Sequence, residues 1–202
     1  MHDSAKKLEQ FLAEDIGKGD ITSKLLPRKK ISAIIVSRQD GIIAGVKYAK
    51  QIFQSKRCRV IIHKKDGQKI SSNDKIITII GDTYPILSCE RTVLNLMSRM
   101  SGIATQTRQL VKIIHETNPR VQLYSTRKTA PGLRLFDKEA VEIGGGYKHR
   151  MSLDQMVMIK DNHIAVSDSF EKLVENAKKK YKKIEVEVES LKNALIAARK
   201  GA

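Results

Sequence analysis

Residues 155–190 read QMVMIKDNHIAVSDSFEKLVENAKKKYKKIEVEVES. The hydrophobic period changes twice within this stretch. Residues 155–160 are a short apolar run closed by Lys160, the pattern of a buried strand. Over 167–180 the apolar positions Phe170, Leu173, Val174 and Ala177 fall at helical spacing. Over 183–190 Ile184, Val186 and Val188 alternate with Glu185, Glu187 and Glu189, the two-residue period of a strand. Strand, helix and strand in one stretch predict a parallel βαβ unit.

Working outward, the pattern continues on both sides. Residues 121–126 (VQLYST) read as a strand and 133–143 as a helix that stops at Gly144-Gly145-Gly146. Residues 191–200 read as another helix, and Gly201 stands where a helix C-cap would precede a next strand. The first half has a different texture. A helix is predicted over 4–14, strands over 31–37 and 58–64, a helix over 45–55, and short β runs between Asp66-Gly67 and Asn73-Asp74. Residues 89–116 are helical, with Leu94, Met97 and Met100 at spacing three; Ser101-Gly102 is expected to divide them into two helices. The expected architecture is α/β: an N-terminal α+β sandwich domain over residues 1–102 and a partial parallel α/β barrel over 103–202. A complete (β/α) barrel takes about 250 residues by itself. The second half is therefore expected to be an open sheet or a C-terminally truncated barrel.

Composition bounds the function. The 202 residues carry 38 Lys and Arg against 22 Asp and Glu, a net charge of +16 spread along the whole chain. Aromatics are 4% with no Trp, so platforms for stacking nucleic-acid bases are scarce and no nucleic-acid partner is expected. Small polyanionic substrates suit dispersed Arg and Lys better. No run approaches the ~18 apolar residues of a membrane helix. The N-terminal MHDSAKKLEQFLAEDIG contains acids and no apolar core, so neither a secretory signal nor a membrane partner is expected. Two cysteines, Cys58 and Cys89, build no disulfide scaffold and suit a reducing cytoplasm.

Five stretches carry residues suited to anion chemistry. Arg127 and Lys128, in STRKTAPGLR (125–134), follow a predicted strand and stand on the ligand side of an α/β sheet. They form either an anion clamp or a polar loop. GGGYKHR (144–150) places three glycines, which allow close approach of a ligand, before Lys148, His149 and Arg150. In MIKDNHI (158–164), Lys160 can meet a phosphate, while Asp161 or Asn162 can equally cap a helix. The three glutamates of IEVEVES (184–190) share one face. An acid row beside an anionic ligand usually signals a divalent cation such as Mg²⁺; the alternative is an exposed edge strand. Arg91, in ERT at 90–92, stands near a predicted helix start. There the dipole disfavours it, so it either reaches for a ligand or a partner chain or pairs at the surface.

Taken together, ERTVLNLMSRMSGIATQT (90–107), STRKTAPGLR, EIGGGYKHRMSLDQMVMIKDNHI (142–164) and IEVEVES, with EDIGKGDITS (14–23) ahead of them, resemble the quinolinate phosphoribosyltransferase family, also called nicotinate-nucleotide diphosphorylase (carboxylating). The resemblance covers essentially the whole chain. It implies an α/β sandwich joined to an incomplete α/β barrel. It also implies a reaction that takes quinolinate and 5-phosphoribosyl-1-diphosphate to nicotinate mononucleotide, diphosphate and CO₂ with Mg²⁺, in a homodimer with shared sites. Carried over by position, Arg127, His149 and Arg150 would hold the quinolinate carboxylates and Arg91 would enter from the neighbouring subunit. Lys128 and Lys160 would serve at the phosphoribosyl diphosphate and the base, and Glu187 would be the Mg²⁺ and ribose ligand. Lys128, Lys160 and Glu187 are the catalytic set so implied.

Two departures stand out. The family usually has Leu-Asp before T-R-K-T, where this chain has Tyr124-Ser125. The family also continues past the point reached by Ala202, with a second metal-binding acid and glycine-rich loops for the 5′-phosphate. This chain is therefore expected to hold half of a site, and an inactive remnant of the same fold is the rival reading. A related family associated with molybdate transport typically lacks an intact K-D-N-H stretch, so Lys160 to His163 favour the quinolinate enzyme.

Overall fold

The computed structural model describes residues 2–202, which divide into two compact units, 2–149 and 150–202. The first unit is built on a three-stranded antiparallel sheet. Its members are β1 (Lys30–Val36), β3 (Arg59–Ile62) and β5 (Lys75–Asp82), in the order β1-β5-β3. A second antiparallel pair joins β2 (Gly41–Ile42) to β4 (Lys69–Ile70). As the central strand, β5 buries Ile76, Ile77 and Ile79, whereas β1 alternates, with Ile31, Ala33 and Ile35 turned inward and Ile34 and Val36 exposed.

Helices cover the sheet. α1 (His2–Ile16) buries Leu8 and Leu12, and α2 (Val46–Ser55) buries Val46, Ala49, Ile52 and Phe53. The i, i+3/i+4 spacing of these residues makes one apolar face on each helix. Gly45, before α2, has φ +93°, and a Cβ there would lie 3.2 Å from the Met97 Cα, so both its conformation and its clearance call for glycine.

α3 (Thr83–Thr117) is the longest element, at 35 residues. The sequence predicts a helix from 89 with a break at Ser101-Gly102; the structure shows one continuous helix that starts six residues earlier. Asp82 caps it, its carboxylate accepting from the Tyr84 N–H at 3.1 Å. Gly102 costs a helix about 1 kcal/mol relative to alanine. Its flanks hold the helix continuous: Met100 and Ala104 are fully buried, and the Ser101 hydroxyl bonds both the N–H (3.0 Å) and the C=O (3.2 Å) of Ala44. Met97 and Met100 are buried as expected, while Leu94 is only half-buried. Because α3 begins at Thr83, Arg91 lies in its third turn, outside the range of the N-terminal dipole, and the dipole argument made for it does not apply.

α4 (Arg134–Ile143) is fastened to α2 and α3 by charges. Arg99 meets Asp137 through two bonds of 2.7 and 2.8 Å. The Tyr48 hydroxyl donates to Glu139 at 2.6 Å, and Lys47 reaches the other Glu139 oxygen at 2.5 Å. Residues 121–126 are not the predicted strand. They pair only through a single parallel bridge, Tyr124 to Tyr147, because the segment opposite offers one residue of extended backbone after the glycines.

The second unit repeats strand and helix. β6 (Val157–Ile159) and β7 (Ile184–Val186) pair in parallel, and α5 (Asp161–Ala165), α6 (Phe170–Lys180) and α7 (Leu191–Arg199) follow their strands. The Ser169 and Ser190 hydroxyls cap α6 and α7, at 3.4 and 3.2 Å. Ile159, Val174 and Ala197 are its buried apolar residues. β7 covers only three of the eight residues predicted, although the alternation runs on: Glu185, Glu187 and Glu189 are exposed, and Val186 and Val188 half-buried. The α/β class and the parallel βαβ unit expected from residues 155–190 are present.

Candidate active site

In the first unit the clamp loop comes directly after the bridged segment. The Ser125 N–H donates to the Tyr147 carbonyl and the Tyr147 N–H to the Leu123 carbonyl, both at 2.8 Å, so the segments carrying Arg127-Lys128 and His149 run side by side. The loop is shaped by its own polar groups. The Thr126 hydroxyl accepts from the Lys128 N–H at 3.1 Å, and the Thr129 N–H donates to the Arg127 carbonyl at 2.9 Å. The Lys128 side chain is exposed. Arg127 is half-buried, and among the described residues its Nε is the buried side-chain nitrogen or oxygen left without a hydrogen-bond partner. An unsatisfied buried donor on a guanidinium is costly, and a bound carboxylate would satisfy it.

His149 has φ +54°, which is uncommon for a residue with a side chain. Its ring stands edge-on to Tyr124 at 5.9 Å, and Tyr124 in turn stacks on Tyr147 at 5.0 Å. The preceding glycines do not clear a ligand, as the sequence reading allowed. A Cβ at Gly144 would lie 2.6 Å from the Ala104 carbonyl oxygen and from the Thr107 Cβ, so the close approach is to α3. Arg108 adds bonds from that helix to the carbonyls of Gly144 (2.9 Å) and Ile143 (3.2 Å). Arg91 is exposed on the wall of a groove of about 770 Å³ between α3 and β1, whose lining includes Ile31, Ala33, Ile35, Arg38 and Leu94.

In the second unit Arg150 is buried, and its guanidinium donates to the Met156 carbonyl at 2.9 Å and to the Met158 sulfur at 3.4 Å. Lys160 and Glu187 each follow the last residue of a parallel strand, and the Lys160 ammonium lies 2.5 Å from a Glu187 carboxylate oxygen. The Glu187 N–H extends the pairing to the Ile159 carbonyl at 2.9 Å. Neither Asp161 nor Asn162 caps α5: the cap is Lys160, whose N–H donates to His163 Nδ1 at 3.0 Å. This assigns His163 Nδ1 the acceptor role and so places a ring proton on Nε2 when the imidazole is neutral. The carboxyl ends of parallel strands are where α/β folds bind ligands.

Two residues passed over in the sequence belong to this description. Ser125 and Lys138 both donate to the Lys148 carbonyl oxygen, at 2.8 and 2.5 Å. Neither left a signal in the sequence pattern: Lys138 stands among charged residues of α4, with Arg134 and Glu142 at helical spacing, and the acceptor it shares with Ser125 is a backbone carbonyl.

Residues 20–101 match the N-terminal domain family of quinolinate phosphoribosyl transferase, and residues 103–202 match its C-terminal domain family. The chain belongs to the quinolinate phosphoribosyltransferase family. It is 45% identical over 184 residues to a probable nicotinate-nucleotide pyrophosphorylase [carboxylating] of Archaeoglobus fulgidus, covering 91% of this chain and 70% of that protein. A protein of the same description from Methanothermobacter thermautotrophicus is 42% identical over 200 residues, covering 96% and 72%. Among solved structures, the nicotinate-nucleotide pyrophosphorylase of Francisella tularensis superposes with a TM-score of 0.91 at 36% identity, over 98% of this chain and 72% of that one. The α/β fold of the family is therefore the fold of this chain.

Proposed function

We propose that this chain carries out the reaction of its family: transfer of phosphoribosyl from 5-phosphoribosyl-1-diphosphate to quinolinate, with decarboxylation, in NAD biosynthesis. The pyridine nitrogen forms a bond to the ribose C1 as the bond from C1 to the diphosphate breaks. The carboxylate next to the quaternised nitrogen then leaves as CO₂. The electron pair left behind stays on that ring carbon, stabilised by the adjacent positive nitrogen, until a proton takes it.

The single observation that favours this reading is the partnerless Nε of Arg127. A guanidinium with a donor to spare, on a segment bridged to that of His149, suits a planar dicarboxylate. In the proposal Arg127, His149 and Arg150 hold the two carboxylates. Lys128 and Lys160 meet the phosphoribosyl diphosphate and the developing charge. Arg91, exposed on α3, serves the site of a second subunit in a homodimer. In the proposal the enzyme works in a reducing cytoplasm, which its two free, buried cysteines suit.

Glu187 suits Mg²⁺. Its side chain is 62% exposed and sits at a strand end between two further exposed acids. Mg²⁺ takes one or two protein carboxylates and completes its shell with water and substrate phosphates. When bound it would neutralise charge on the leaving diphosphate. Lys160, beside Glu187, orients that carboxylate.

Calorimetry with quinolinate and with nicotinate, which lacks the second carboxylate, tests the clamp. Wild-type protein should bind quinolinate and bind nicotinate much more weakly, and Arg127→Met should abolish the difference. Equal binding of both compounds by the wild type would end the reading of Arg127.

A further inference from the structure

Lys138 is fully buried on α4, yet its ammonium lies 2.5 Å from the Lys148 carbonyl oxygen. The acids beside it are committed elsewhere: Asp137 to Arg99, and Glu139 to Tyr48 and Lys47. The same Lys148 oxygen accepts from the Ser125 hydroxyl at 2.8 Å. One carbonyl thus receives two donors, from residues 10 and 23 positions away in the chain. Taking an ammonium out of water is expensive, and an apolar residue would fill the same space without that cost. Packing alone does not account for a lysine at this position.

This carbonyl matters because of its neighbour in the chain. The peptide plane that contains the Lys148 oxygen also contains the His149 nitrogen and Cα, so fixing the oxygen fixes the N–Cα direction from which His149 leaves the chain. His149 leaves it at φ +54°, a conformation that persists where the surroundings over-determine it. The two donors and the Tyr124–Tyr147 bridge supply that constraint from three directions.

We propose that Lys138 and Ser125 are positioning residues for substrate recognition: by clamping the Lys148 carbonyl they hold the strained turn that aims His149 at a substrate carboxylate. The proposal rests on the reading of His149 as a quinolinate ligand. Ser125 is suited to the task in a way an ionised aspartate at that position would not be, because a hydroxyl has a proton to give to a carbonyl and a carboxylate has none.

The test uses the complete gene product and measures affinity separately for quinolinate and for 5-phosphoribosyl-1-diphosphate. Ser125→Ala and Lys138→Met should each weaken quinolinate binding by about five- to tenfold, the range of one lost hydrogen bond, with phosphoribosyl diphosphate binding changed less than about twofold. Ser125→Thr, which keeps the hydroxyl, should bind quinolinate as the wild type does. Equal loss of both ligands would mark general damage and overturn the proposal, as would wild-type quinolinate binding by Ser125→Ala. If Lys138→Met shows no cooperative melting, the Ser125 pair decides alone, since Ser→Ala removes one atom. His149→Ala separates the two levels. If it binds quinolinate normally, the ligand reading and the proposal both fall. If it binds weakly while Ser125→Ala binds normally, the positioning proposal alone falls.

Discussion

Lys160 and Glu187 meet 2.5 Å apart, each one residue beyond the end of a parallel strand, with their side chains 36% and 62% exposed. An ion pair this accessible contributes about 0–1 kcal/mol to folding. Its position at the carboxyl edge of the sheet matters more for ligands than for stability. Lys160→Met and Glu187→Gln should therefore each leave the melting temperature within a few degrees of wild type while lowering the rate of nicotinate mononucleotide formation by about a hundredfold or more, the scale of losing one electrostatic partner of a transition state. A variant that melts normally and turns over normally would remove the pair from the mechanism.

Arg91 gives a test of shared sites. If it acts in the partner's site, mixing Arg91→Ala subunits with Lys128→Ala subunits creates heterodimers in which one site is intact and the other doubly damaged. Random mixing in a two-fold dimer should then recover roughly a quarter of wild-type activity. Neither variant alone should show it. Absence of recovery after verified subunit exchange would place Arg91 in its own subunit's site or in none.

The Tyr48–Glu139 bond predicts an alkaline limit to stability. Burial, together with the carboxylate of Glu139, holds the Tyr48 phenol well above its ordinary value of 10.0. A raised acidic group stabilises the fold fully below its unfolded value and loses that contribution as pH rises past it. Stability should accordingly decline above about pH 10 as the unfolded chain releases a proton the folded one retains. Tyr48→Phe should flatten that decline and cost about 1–3 kcal/mol at neutral pH, because the buried Glu139 loses a donor. A denaturation series across pH 8–11 on both proteins checks the sign.

The cysteines should be inert in the folded protein. Burial pushes the Cys89 thiol up to about 11 and raises that of Cys58 as well. Thiolate is the reactive form. Neither should react with a thiol reagent at pH 7.5 until denaturant is added, and both should then react together. Fast labelling of the native protein would contradict the burial of both side chains.

The parallel βαβ unit was legible because a short apolar run gives way to a helical period and then to a two-residue alternation within 36 residues; Lys160 was legible because it closes the apolar run, and Glu187 as the middle acid of the alternation, which the family resemblance singles out. Residues 121–126 have the composition of a strand, but a strand needs a partner of comparable length, and the glycines opposite leave only Tyr147. α3 reads as broken at Gly102 because local propensity says nothing of Ser101 bonding both polar groups of Ala44. The role of Gly144 was misread for the same reason: a glycine announces a close approach without saying what approaches. Ser125 and Lys138 went unnoticed because their shared acceptor is a backbone carbonyl, which leaves no trace in the pattern of side chains.

The account stands most directly on one assay: the complete gene product incubated with Mg²⁺, 5-phosphoribosyl-1-diphosphate and quinolinate labelled in the carboxylate next to the ring nitrogen, with label and nucleotide followed together. The account predicts one equivalent of labelled CO₂ for each nicotinate mononucleotide formed, with both lost in Arg127→Met. Nucleotide formed without CO₂, CO₂ released without nucleotide, or no turnover by the wild-type enzyme would contradict it.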